Sequence, residues 1–145
     1  MDNIFNEYRD GLEVERDGFT FKIQECPDDD ADLSYYGEFG GKMESELSIE
    51  HQGAPFQIAG WFNPENVENE TQAQENYQRV LAYHRDEWHM MGIKVVVYKA
   101  GVRLGDASLW GIESDGDESY FLETANDLTD EALMEAKATL ARLAE

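Results

Sequence analysis

Asp28, Asp30 and Asp32 stand at alternate positions, the spacing with which three carboxylates open a calcium-binding loop. Such a loop needs a glycine at its sixth position and a closing glutamate at its twelfth. Leu33 and Phe39 occupy those places, so the pattern reads as a solvated acidic loop and no metal is expected there. Asp115, Asp117 and Ser119 begin the same pattern, and Tyr120 takes the glycine position. His84 and His89 lie five residues apart in a segment with helical periodicity, which sends them to different faces and makes them poor joint zinc ligands. His51 stands apart from both. Cys26 is the single cysteine; neighbouring carboxylates disfavour its thiolate, and no intrachain disulfide can form. The phosphate-cradling glycine loops and the Gly-x-Ser-x-Gly nucleophile turn are absent. Carboxylate pairs are too numerous for any one to single out an acid–base site. The chain reads as a non-enzyme without cofactor.

What remains is the charge itself. Thirty-two acidic residues face eleven basic ones, a formal net charge of −21. A field of that sign repels nucleic acid and anionic membrane and steers the chain towards basic partners. Salt adaptation or solubility is the plain alternative. The charge is uneven, however. Residues 1–50 hold 15 acids against 4 bases, residues 51–100 hold 6 against 4, and residues 101–145 hold 11 against 3. Two acidic rows follow. The first is Asp28, Asp29, Asp30 and Asp32, with Glu25 and Glu38 nearby; the second is Glu113, Asp115, Asp117, Glu118, Glu123, Asp127, Asp130 and Glu131.

The elements that must position these rows are legible from periodicity. Leu12 to Arg16 and Phe19 to Ile23 alternate around Asp17-Gly18, a hairpin signal. Glu25 to Asp32 reads as a loop and Tyr35 to Gly41 as a flexible aromatic stretch. Met43 to Glu50 reads as a strand, and Phe56 to Phe62 as an apolar run ended by Asn63-Pro64. Residues 69–88 form a helix, with Tyr77, Val80, Leu81, His84 and Trp88 at helical spacing. Met91 to Lys99 and Val102 to Ile112 are strands joined at Ala100-Gly101, with a bulge expected at Gly105. Two helices end the chain, Ser119 to Asn126 and Asp130 to Leu143, the second capped by Thr129. The whole reads as one α+β domain, residues 1–145, an antiparallel sheet with helices on one face. A chain of this length buries about two-thirds of its unfolded surface and needs no disulfide or metal to fold. No stretch reaches the ~20 apolar residues of a membrane span, and Met1-Asp2-Asn3 lacks the basic start of a signal peptide, so a cytoplasmic location is expected.

The most distinctive segment is Leu109-Trp110-Gly111-Ile112-Glu113-Ser114-Asp115, where Trp110 reads as a buried core residue whose truncation to alanine costs about 3–5 kcal/mol. With Ser119-Tyr120-Phe121, the acidic final helix, Phe62-Asn63-Pro64 and the Tyr83 to Gly92 stretch, it resembles small acidic accessory proteins of phages and mobile elements. The resemblance covers the chain from Phe62 on and carries over no residue role. It implies genomic company in which inhibitors of host defence are common.

The expected function is therefore an acidic mimic of nucleic acid that inhibits a basic DNA- or RNA-binding protein. A CRISPR effector, a restriction enzyme and a DNA-repair glycosylase are all candidate partners, and no direct nucleic-acid or membrane binding is expected. The alternative is an interaction module that binds through an aromatic patch of Tyr35, Tyr36 and Phe39 while its acids keep it soluble.

Overall fold

A computed structural model describes residues 3–53 and 60–144. The fold is α+β, with two antiparallel sheets and a helix packed against each. The chain divides into two compact units, Met1–Asp29 with Met90–Glu145, and Asp30–His89.

The first unit is built on a four-stranded sheet. Its strands are β1 (Glu13–Arg16), β2 (Phe19–Pro27), β6 (Met90–Lys99) and β7 (Val102–Glu113), in the order β1-β2-β6-β7. Asp17 and Gly18 both adopt positive φ, as do Ala100 and Gly101, so each hairpin closes on the tight turn its sequence called for. β2 runs on to Pro27 beside β6, taking up residues expected in a loop. Phe19, Phe21 and Ile23 of β2 join Ile93, Val95 and Val97 of β6 on one sheet face, where they meet the final helix.

That helix, α2 (Glu118–Leu143), is continuous, and this corrects the expected break at Thr129. Thr129 lies buried mid-helix and satisfies its hydroxyl by donating to the Ala125 carbonyl at 2.9 Å. The helix starts instead at Asp117, whose side chain accepts from the Ser119 N–H at 2.9 Å. The inner face of α2 is largely small, with Ala125, Ala132 and Ala136 fully buried. It closes onto β7 where Gly105 has no side chain: a Cβ there would sit 2.6 Å from the Ala132 carbonyl oxygen. The expected bulge is present, as the register slips between Val97↔Gly105 and Tyr98↔Arg103. The N-terminal stretch also belongs to this core. Ile4 and Phe5 are buried, and the Asn126 side chain exchanges two hydrogen bonds with the Phe5 backbone.

The second unit holds a three-stranded sheet, β3 (Gly37–Gly40), β4 (Ile49–His51) and β5 (Gly60–Pro64), in the order β3-β5-β4, and the helix α1 (Glu70–His84). Part of the stretch read as flexible is thus strand β3, and the expected strand from Met43 shrinks to Ile49–His51. Buried Asn63 explains the loop between them. It accepts from the Met43 N–H and the Ser48 hydroxyl and donates to the Gly41 carbonyl, so side-chain bonds replace a strand ladder. Residues 56–59 of the expected apolar run lie outside the described residues. α1 ends at His84, four residues before the expected end. Asp86 takes φ of 61°, and the chain folds back so that buried Trp88 donates to the Arg79 carbonyl, with the Arg79 guanidinium 3.7 Å from its ring centroid. No described helix is long and apolar enough to cross a membrane.

Candidate functional site

The second acidic row begins at the exit of β7. Trp110 and Gly111 together face Gly92, the register moving from Ile93↔Leu109 to Met91↔Ile112, and Gly111 takes a φ of 72°. This bulge returns Ile112 to the core and leaves Trp110 on the opposite sheet face. There the Trp110 ring lies over Gly92, and its indole N–H reaches Ser108 Oγ at 3.1 Å. Trp110 is 47% exposed, which overturns the expected core tryptophan. Trp110→Ala is expected to cost only about 1 kcal/mol, read from the shift in denaturant midpoint. A loss several times larger would mean the indole is held more tightly than its exposure suggests.

Beyond the bulge, Glu113 to Gly116 turn the chain into α2, and the Gly116 N–H reaches the Glu113 carbonyl at 3.1 Å. Asp117 is committed to capping, and the Ser119 backbone and hydroxyl hold its carboxyl below the ordinary aspartate range. Glu118 sits five residues before Glu123, about 140° around the helix from it. Glu123, Asp127, Asp130 and Glu131 are all exposed and share one outer stripe, at steps of four, three and one. They put four carboxylates into about 12 Å of helix axis. Exposed Tyr120 and Met134 lie along the same stripe.

The first row does not form one continuous element. Asp28 is half-buried at the end of β2 and accepts from the Gly111 N–H at 3.0 Å, so it secures the bulge. Asp29 is exposed and closes the first unit, whereas Asp30 and Asp32 belong to the second. Asp32 accepts from the Ser34 N–H, a bond that lowers its pKa. Among the described residues no group of three or more His, Cys, Asp and Glu side chains is arranged to hold a metal ion. Cys26 is half-buried on β2 opposite Gly92.

The three rings of the aromatic patch do not share one surface. Tyr35 is 67% exposed, but half-buried Tyr36 packs edge-on to Trp88 within the second unit. Phe39 belongs to a cluster with Phe62, Tyr77 and His51. His51, which sequence reasoning left unassigned, is buried there. Its Nε2 faces the Gly53 carbonyl at 3.2 Å, an acceptor only, so that nitrogen carries a proton, and its Nδ1 meets the Tyr77 hydroxyl at 2.8 Å. Burial pushes the Tyr77 hydroxyl pKa up. His84 ends α1 and His89 follows the fold-back, so they do not share a helix as the sequence suggested.

Tyr8 gives a pH-dependent signature of the first unit. Burial, then its 2.7 Å hydrogen bond to Glu25, then the charges of Glu25 and Asp10 raise its pKa above the ordinary value of 10.0. A raised pKa means the folded state keeps the proton longer than the unfolded chain. Tyr8 thus contributes stability below the unfolded tyrosine pKa, and the contribution is lost as the pH climbs through the higher folded value. Ultraviolet titration should show a late tyrosinate component that is absent from Tyr8→Phe; an unchanged titration curve in that variant would contradict the assignment.

No protein-family model, curated protein or solved structure matches this chain.

Proposed function

We propose that this protein is a non-enzymatic inhibitor that occupies the nucleic-acid groove of a basic DNA- or RNA-binding protein, of the anti-CRISPR or anti-restriction kind, in the cytoplasm. The observation that carries this reading is the outer stripe of α2. Four carboxylates in about 12 Å amount to one charge per ~4 Å of axis, against one per ~3.4 Å along a single DNA strand. The stripe stands on a 26-residue helix whose opposite face is locked into the core, so the spacing is preorganised. Exposed Tyr120 and Met134 add apolar contact beside the charges. Glu113, Asp115 and Glu118 extend the negative field at the helix start. A partner in host defence is proposed on the resemblance of the Leu109–Asp115 segment to accessory proteins of phages and mobile elements. An aromatic-patch interface is favoured less, because of its three rings only Tyr35 is exposed.

Capture tests the proposal. The immobilised protein, exposed to bacterial lysate at low salt, is expected to retain a basic nucleic-acid-binding protein and release it as salt rises. In a gel shift the protein alone leaves DNA and RNA unshifted. Retention solely of proteins with no nucleic-acid groove, unaffected by salt, would reject the reading.

A further inference from the structure

A second binding feature lies on the first unit, and its character opposes the rest of the surface. A half-open cavity of about 410 Å³ sits between the β1–β2 hairpin and the C-terminal half of α2. Its floor is apolar, made by edges of Ile4, Phe19, Phe21 and Leu133. Its charged lining comes from Arg16 and Lys137 as cations and Asp17 as the one acid. A third cation is close by, since Lys99 Nζ stands 4.7 Å from the centroid of the Phe19 ring.

Arg9, Lys22, Arg85 and Arg103 pair with Glu7, Glu13, Glu87 and Asp106. Arg16 and Lys137, like Lys42, Lys94, Lys99 and Arg142, make no ion pair among the described residues, and of these Arg16 and Lys137 line this apolar hollow. The volume falls in the range of small-molecule sites, which combine an apolar wall with a few orienting polar groups. At physiological salt the screening length is about 8 Å, so charges beyond that distance are damped and the lining itself carries two cations against one acid.

We propose that this cavity binds a small organic monoanion, a carboxylate carried on an aromatic or branched aliphatic body. The body fills the hollow against Phe19 and Leu133, and the carboxylate takes charge-assisted hydrogen bonds from Arg16 and Lys137. Asp17 on the same wall disfavours a second negative charge on the ligand. The cavity shares no lining residue with the acidic stripe on α2.

The experiment is a titration of the isotope-labelled protein with phenylpropionate, followed through its amide resonances at 0.15 M salt. Saturable shifts are expected at Phe19, Phe21, Leu133 and Lys137. The neutral amide of the same body should bind about tenfold more weakly or worse, and the phenylsuccinate dianion should bind no better than phenylpropionate. The double variant Arg16→Gln, Lys137→Gln should lose the shifts while its remaining spectrum, unchanged, reports an intact fold. Absence of saturable shifts, equal binding of acid and amide, tighter binding of the dianion, or shifts that persist in the double variant would each overturn the proposal. The amide comparison needs no variant, so the outcome does not depend on how the double variant folds.

Discussion

Gly105→Val should destabilise the first unit by about 3 kcal/mol or more. The reason is the identity of the atoms a side chain would meet. A Cβ at Gly105 lies 2.6 Å from the Ala132 carbonyl oxygen and 2.7 Å from the Ala136 nitrogen, both backbone atoms of α2. A flexible side chain could swing aside, but a helix held by Phe121, Ala125, Leu128, Ala132 and Ala136 moves only as a body. Lifting it exposes the apolar face of β2 and β6 along its length. Gly40→Ala is the matched control. Gly40 has no atom within 4 Å of a built Cβ and no positive φ, so the change should stay within about 0.5 kcal/mol. Denaturant unfolding of both variants reads the difference. A Gly105→Val protein as stable as the parent would show that α2 does not approach the sheet as closely as described.

Neutralising the α2 stripe should separate binding from stability. Each exposed charge contact contributes about 0.2–1 kcal/mol, so a single change such as Asp127→Asn weakens binding by only about 1.5- to 5-fold. Glu123→Gln, Asp127→Asn, Asp130→Asn and Glu131→Gln together remove about 0.8–4 kcal/mol, a loss of roughly 4- to 1,000-fold, and flatten the salt dependence. The fold should gain from the same changes. Glu123 with Asp127, and Asp127 with Glu131, are like charges four apart, and relieving each pair returns about 0.2–0.5 kcal/mol. Asp117 and Asp28 are left untouched, because one caps α2 and the other anchors Gly111. A fourfold variant that melts no lower than the parent yet no longer binds would mark the stripe as a binding face. Unchanged affinity would remove it from the account.

The hairpins were legible because their turns carry a local requirement: Asp17-Gly18 and Ala100-Gly101 can host the consecutive positive φ values that a two-residue connection needs. The valine-rich centre of β6 and the amphipathic faces of both helices were legible for a similar reason, since periodicity is a local property. What escaped depended on contacts distant in sequence. Thr129 resembles a cap until Ala125 accepts its hydroxyl inside a buried helix. Trp110 resembles a core residue until the bulge opposite Gly92 turns it outward, and nothing within Leu109–Asp115 specifies that register slip. Phe39 was read as a surface aromatic because its partners His51, Phe62 and Tyr77 are spread over three elements. Among the site residues, the acidic row itself could be read from the sequence, but the common stripe of Glu123, Asp127, Asp130 and Glu131 could not, because the expected break at Thr129 left Asp127 between two helices where the fold has one. The local duties of Asp28 and Asp117 could not, because they depend on which N–H groups the fold brings to them.

The central claim is that the protein takes the place of nucleic acid on its partner, and competition tests it most directly. The captured partner is bound to the immobilised protein at low salt, and duplex DNA or RNA of the kind that partner binds is added in increasing amounts. Mimicry predicts mutual exclusion: the nucleic acid releases the partner completely, no ternary complex forms, and the midpoint of release rises in proportion to the amount of immobilised protein. A stable ternary complex, with the partner holding the protein and the nucleic acid at once, would contradict the account.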